Sequence, residues 1–66
     1  MDFFERNVGK NCNITVAHSY IGKFQYTDAK VFSGEIVGVD GEFVMLKQKT
    51  GTIMINKNYI VLLEIN

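Results

Sequence analysis

The sequence predicts an all-β protein, a small and strongly bent five-stranded barrel with a short α-helix at its N-terminus. Two observations lead to this fold class. From Asn11 onward, apolar and polar residues alternate with the two-residue period of a strand packed on one face. Glycine and Asp-Gly positions interrupt this period often enough to separate five short strands, which are too few and too bent for a two-sheet sandwich.

Length and composition predict one domain, residues 1–66. The chain is 47% hydrophobic and 12% aromatic, which is ample for a core. A domain of this size buries only about 60% of the surface of its unfolded chain, so we expect an isolated copy to be marginally stable. Seven basic and seven acidic side chains give a net charge of zero, so any nucleic-acid binding has to come from a local patch.

The opening residues predict the helix. Asp2 is a good N-cap with Glu5 three residues later, Phe4 and Val8 fall on one helical face, and Gly9 suits a C-terminal cap. We therefore expect a helix over residues 2–8. A first strand follows, with its core-facing positions occupied by Cys12, Ile14 and Val16.

Residues 18–30 allow two interpretations, a loop or a hairpin arm that continues the first strand. Three aromatic residues share the parity of the core-facing positions: Tyr20, Phe24 and Tyr26. This parity favours an arm whose turn lies near Thr27 and Asp28.

The remaining strands are separated by glycine-containing turns. Gly34 and Gly38 lie inside the β-rich run from Lys30 to Val39, which indicates a bend or bulge at a barrel corner. Asp40-Gly41 predicts a two-residue hairpin turn, and Thr50-Gly51 predicts the next one. The strands on either side are then residues 42–48 and 52–56, followed by a polar turn at 56–58 and a last strand at 59–65.

No combination of residues predicts catalysis, so we expect a protein that is not an enzyme and has no cofactor. His18 is the single histidine, and at about 3.3 Å per residue it lies roughly 20 Å from Cys12 along an extended strand, too far to share a metal. Cys12 is the single cysteine, so no intramolecular disulfide forms. No apolar segment has the length of a signal peptide or a membrane span, which predicts a cytoplasmic location without membrane association.

Two motifs resemble those of the Sm-like family, which includes the Sm, Lsm and Hfq proteins. Gly34, Ile36 and Asp40 match the core of the first motif, and the second is matched in outline by Ile55, Ile60 and Leu63. The resemblance implies an SH3-like (Sm-like) barrel that assembles into a homo-oligomeric ring and binds single-stranded RNA. The chain departs from the Sm pattern in having Val44 where Sm proteins place a uridine-contacting asparagine, and Asn56-Lys57 in place of Arg-Gly.

The resemblance also implies where RNA would bind. The turns at Asp40 and at Asn56-Lys57 line the central pore of an Sm-like ring, and Lys23, which lies among aromatic residues, is a further candidate contact. The alternative is a protein-interaction or scaffolding barrel that binds no nucleic acid, an interpretation that the zero net charge and Val44 favour.

The last two strands predict the oligomer interface. Both carry apolar residues on both faces with little charge, and the chain has no proline to protect an edge. In the Sm-like family the fourth strand of one subunit pairs with the fifth strand of the next. The candidate interface residues are Ile53, Ile55, Ile60 and Leu62.

Overall fold

The computed structural model describes the backbone of residues 2–20 and 26–66, and within these ranges it describes the side chains outside positions 18–20 and 26–28. Five antiparallel strands form one bent sheet in the order β4-β3-β2-β1-β5, and a single-turn helix, α1, precedes them. The predicted all-β class, strand number and N-terminal helix are confirmed, in a sheet that does not close. The elements are α1 (Phe3–Arg6), β1 (Asn11–Tyr20), β2 (Tyr26–Asp40), β3 (Phe43–Gln48), β4 (Gly51–Asn56), a 3-10 helix (Lys57–Tyr59) and β5 (Ile60–Ile65).

The core lies on the inner face of the bent sheet. Alternate residues of β1 and β3 supply most of it, as expected for strands that are buried on one face. The predicted core-facing positions of β1 are confirmed, because Cys12 and Ile14 are fully buried and Val16 packs against them. Burial raises the pKa of the Cys12 thiol, so this side chain acts as a small neutral hydrophobe. The buried cluster consists of Cys12, Ile14, Ile36, Val44, Leu46 and Ile55.

Helix α1 begins where the sequence predicts and ends earlier. Asp2 is the N-cap, and its Oδ1 accepts a hydrogen bond of 2.8 Å from the Glu5 amide. The helix stops at Arg6 because Asn7, which is buried, donates its side-chain amide to the Phe3 carbonyl at 2.7 Å. The predicted helical span to residue 8 is therefore wrong at its C-terminal end.

The residues after α1 connect the helix to the sheet. Val8 is 46% exposed, so the expected apolar pair of Phe4 and Val8 does not form a buried face. Gly9 has a φ of +93° and lies outside the helix, and its amide donates to the Ile36 carbonyl at 2.7 Å. Its positive φ therefore lets the chain turn into β1, and Gly9 does not cap the helix.

The long hairpin of β1 and β2 settles the interpretation of residues 18–30. The two strands pair from Asn11 to Tyr20, and Tyr20 lies opposite Tyr26, so the described part of this region, 18–20 and 26–30, belongs to a hairpin arm. The predicted turn near Thr27 and Asp28 is wrong, because both residues lie inside β2. Their partners in β1 are Ser19 and His18. Lys23 and Phe24 lie outside the described residues.

The sheet bends at the two glycines of β2, as predicted. A side chain at Gly34 would collide with the backbone carbonyl of Lys47 in β3, which shows how closely the two strands approach. The pairing of β2 with β3 shifts register between Ile36 and Gly38, which is a β-bulge. Bend and bulge together curl the sheet around its core.

Both hairpin turns lie one residue away from the predicted positions. Asp40 pairs with Phe43, so the β2–β3 turn consists of Gly41 and Glu42. Gly41 has the expected positive φ, +59°, whereas no non-glycine residue of the described chain has one. This is the pattern of a type II′ turn, which needs glycine at its first central position, and not of the type I′ turn implied by Asp40-Gly41. The next turn is likewise formed by Lys49 and Thr50, because Gln48 pairs with Gly51.

Candidate functional site

Three of the four predicted RNA-contacting residues lie at one end of the sheet. Strand β3 begins there, and its first residue, Phe43, pairs with Asp40 on one side and with Asn56 on the other. Strands in a sheet are about 4.8 Å apart, so the backbones of Asp40 and Asn56 are separated by about 10 Å. Lys57 follows directly, and its amide donates to the Glu42 carbonyl at 2.8 Å. We call this group, Asp40, Glu42, Asn56, Lys57 and Asn58, the turn cluster.

The amides of the turn cluster mainly hold the two turns together. The Oδ1 atom of Asn56 accepts a hydrogen bond of 2.9 Å from the Asn58 amide and caps the 3-10 helix. The Nδ2 group of Asn58 donates to the Glu42 carboxylate at 3.2 Å. Among the described residues, the Nδ2 group of Asn56 has no hydrogen-bond partner in the protein. This group can therefore donate to a ligand.

Lys57 points back toward the N-terminal helix. Its Nζ atom lies 2.5 Å from Oδ2 of Asp2 and 5.6 Å from the centre of the Phe4 ring. The Lys57 side chain is only 23% exposed. We call the contact of these three side chains the Asp2–Lys57 clasp. It joins two positions that are 55 residues apart in sequence and fixes α1 against the end of the sheet.

Both carboxylate oxygens of Asp2 are used. Oδ2 accepts from Lys57, and Oδ1 accepts from the Glu5 amide at the start of α1. The hydrogen bond from Lys57, supported by the bond from the Glu5 amide, lowers the pKa of Asp2 below its ordinary value of 3.8. Asp2 is therefore ionised at neutral pH, and the clasp is an ion pair.

Carboxylates outnumber ammonium groups around this end of the sheet. Asp2 contacts the Lys57 ammonium group, and the exposed Asp40 and Glu42 lie in and beside the β2–β3 turn at the same end. From the sequence, Asp2 is predictable only as a helix cap, because its contact with Lys57 joins positions 55 residues apart that no sequence spacing relates. Val44, in the position of the Sm asparagine, is completely buried in the core, so its side chain contacts no ligand.

The predicted interface residues divide into buried and exposed ones. Ile55 belongs to the core at 7% exposure, and Ile53 and Ile60 are half-buried against it. Leu62 is 51% exposed. Strands β4 and β5 are the two edge strands of the sheet, so each has one neighbouring strand within the described chain.

The two edge strands expose further apolar side chains. Met54 projects from β4 at 53% exposure. In β5, Val61 is 64% exposed, because the pairing of β1 with β5 shifts register between Thr15 and Val16 and leaves Val61 without a partner. The alternation of apolar and polar residues in the sequence does not predict this irregularity of the β1–β5 pairing.

An apolar groove runs along the inner side of β4. It has a volume of about 400 Å³, and the base of the arm forms its opposite wall. Its apolar lining is Val16, Ala17, Phe32, Ile53, Met54 and Ile55, and Asn56 and Tyr59 complete it. The groove thus opens beside an unpaired strand edge.

A second, polar cleft lies at the opposite end of β3 and has a volume of about 630 Å³. Lys47 and Lys49 line it together with Gln48 and Asn11. These lysines lie at the opposite end of β3 from the turn cluster.

The described residues contain no group of three or more side chains suited to hold a metal ion. Within the same ranges, no helix is long and apolar enough to cross a membrane. Comparisons of the chain with models of protein families, with curated proteins and with solved structures find no match.

Proposed function

We propose that this chain is an Sm-like oligomerising module in which β4 of one copy pairs with β5 of the next. The observation that carries the proposal is the pair of open, apolar edge strands. An unpaired edge normally carries lysine, proline or a bulge that blocks pairing. Neither strand contains lysine or proline. Strand β4 contains no charged residue, and in β5 Glu64 is the one charged residue, while the irregular pairing with β1 is confined to Val61.

The two edges are suited to each other. Both strands are six residues long, so an antiparallel ladder can join them on either side of the irregularity at Val61. A strand added to β4 would bring alternate side chains over the apolar groove, and β5 offers exposed Val61 and Leu62 for burial. Two different surfaces meet in such a contact, which closes into a ring if the rotation between copies allows it.

A mixing experiment with two edge variants tests this pairing. Met54→Lys places a charge on β4 and leaves β5 intact, whereas Leu62→Lys places a charge on β5 and leaves β4 intact. We expect each variant alone to be a monomer of 7.5 kDa, and an equimolar mixture to form a heterodimer of about twice that mass through the two intact edges.

The control for the mixing experiment is Val8→Lys, which adds the same charge at an exposed apolar position outside both edge strands and should assemble like the wild type. Sedimentation equilibrium measures the masses. Dimers formed by Leu62→Lys alone would show that β4 pairs with itself. A mixture that stays monomeric would contradict pairing between β4 and β5.

Our second proposal is that the assembled module binds single-stranded RNA at the turn cluster. The free amide of Asn56 and the Lys57 ammonium are groups that contact bases and phosphates. The neighbouring carboxylates of Asp40 and Glu42 oppose a phosphate backbone, so we expect binding to be weak and strongly dependent on salt. The surplus of carboxylates is also the observation that favours the alternative, a scaffolding barrel without nucleic-acid binding.

Fluorescence anisotropy with short U-rich and A-rich RNA separates the two functions. We expect Lys57→Ala to weaken binding more than Lys47→Ala, because Lys47 lies at the opposite end of β3. Equal effects of the two substitutions would indicate a diffuse surface. An absence of binding to either RNA at low salt would support the scaffolding function.

A further inference from the structure

We propose that the Asp2–Lys57 clasp is an autoinhibitory contact, in which an RNA phosphate must displace the Asp2 carboxylate before it can bind Lys57. The inference rests on the proposed binding of RNA at the turn cluster. It concerns the regulation of that site by the chain's own N-terminal helix.

The geometry leaves Lys57 little capacity for a second anion. Oδ2 of Asp2 lies 2.5 Å from its ammonium nitrogen, and the Phe4 ring covers another side at 5.6 Å. With only 23% of the side chain exposed, a phosphate cannot approach on equal terms with the carboxylate. Phosphate and carboxylate both bind an ammonium group through charge-assisted hydrogen bonds, so they compete for the one positive charge of Lys57 on the exposed part of its side chain.

The competition favours Asp2 in the free protein. Asp2 is held in place by its capping bond to the Glu5 amide, so its carboxylate is already positioned next to Lys57. A contact within the molecule acts at a high effective concentration, whereas RNA has to gain the Lys57 contact from solution. The fraction of molecules with an open clasp then limits the observed affinity.

The chain allows the ionic contact to be removed without removing the cap. Asp2→Asn keeps a side-chain oxygen for the Glu5 amide, and asparagine is as good an N-cap as aspartate. It removes the charge that holds Lys57. Glu5→Gln is the matched control, because it removes one exposed carboxylate from the same helix, outside the turn cluster, whereas the ion pair of Lys57 is with Asp2. The Glu5 group that bonds to Asp2 is the backbone amide, which this substitution keeps.

The experiment measures the affinity for one short single-stranded RNA by fluorescence anisotropy over a range of salt concentrations. We expect Asp2→Asn to bind about fivefold more tightly than the wild type, with a salt dependence steeper by about 0.7, the value for one more neutralised phosphate on a single strand. We expect Glu5→Gln to change the affinity by less than about twofold. Lys57→Ala in the Asp2→Asn background should abolish the gain.

Three results would overturn the inference. If the wild type and Asp2→Asn bind RNA equally well, the clasp does not compete with the ligand, although the module still binds RNA. If Glu5→Gln improves binding as much as Asp2→Asn, the effect comes from overall charge and not from the clasp. If none of the variants binds RNA, the proposed RNA binding fails and the inference fails with it.

Discussion

Gly41 has a backbone conformation in the β2–β3 turn that favours glycine. It occupies the first central position of the β2–β3 turn with a φ of +59°. No atom lies within 4 Å of the place where a Cβ would be, so a side chain there meets no steric obstacle beyond its own backbone. The cost of any substitution is therefore the cost of a positive φ.

We expect Gly41→Val to destabilise the fold by about 1 kcal/mol or more, because a β-branched residue strongly disfavours this region. Gly41→Asn should cost less, since asparagine tolerates a positive φ. Denaturant unfolding measured at one protein concentration compares the three proteins. A valine variant that unfolds at the same denaturant concentration as the wild type would show that the turn does not need glycine.

The Asp2–Lys57 clasp gives a prediction about pH. The pKa of Asp2 is lower in the folded protein than its ordinary value of 3.8, so the clasp stabilises the fold fully above that value. This contribution is lost as the pH falls through the lower, folded-state pKa. We expect the wild type to be more stable than Asp2→Asn near neutral pH and the difference to disappear in strong acid.

Unfolding of the wild type and Asp2→Asn at a series of pH values tests this expectation. Asparagine retains the helix cap, so the difference between the two proteins reports on the charge alone. A difference that is independent of pH would mean that the ion pair contributes nothing to stability.

At the scale of elements, the bend of β2 depends on two glycines in different ways. A Cβ on Gly34 would collide with the backbone carbonyl of Lys47, which belongs to a paired strand and cannot move freely. A Cβ on Gly38 would lie 2.6 Å from Cε of Met45, the end of a flexible side chain. We therefore expect an alanine to cost more stability at Gly34 than at Gly38.

We expect Gly34→Ala to destabilise the protein by about 1–3 kcal/mol, because the two strands would have to separate locally. Gly38→Ala should cost less than about 1 kcal/mol, since Met45 can adopt another rotamer. Thermal unfolding of both variants beside the wild type measures the contrast. Equal losses of stability would contradict the close approach of β2 and β3 at Gly34.

Most elements were predictable because they depend on local patterns. The alternation of Cys12, Ile14 and Val16 shows the buried face of β1 directly, and the glycines of β2 mark the bend. Both turns lie one residue away from the positions that the sequence predicts. The composition of Asp40-Gly41 suits a type I′ turn at these two residues, whereas the strand pairing makes Gly41 the first residue of the turn. Pairing register is a property of two strands and not of one segment.

The candidate site was predictable only in part. The resemblance brought Asp40, Asn56 and Lys57 together, and strand pairing at Phe43 places them at one end of the sheet. The contact of Lys57 with Asp2 joins positions 55 residues apart, so no spacing rule reveals it. The exposure of Val61 likewise depends on an irregular pairing with β1.

At the scale of the whole molecule, the fold leaves two apolar edges uncovered. A chain of 66 residues cannot bury both faces of its last strands in one core, and Met54, Val61 and Leu62 remain more than half exposed. The two edges lie at opposite ends of the strand order and do not pair with each other, so both are unpaired in this open sheet. We propose that a second copy covers them.

Size-exclusion chromatography with light scattering at micromolar concentration tests this claim most directly. We expect the wild type to elute as one species whose mass is a fixed multiple of 7.5 kDa and does not change on moderate dilution. Leu62→Lys should shift the mass to that of the monomer. A wild-type protein that elutes as a monodisperse species of 7.5 kDa would contradict assembly through β4 and β5.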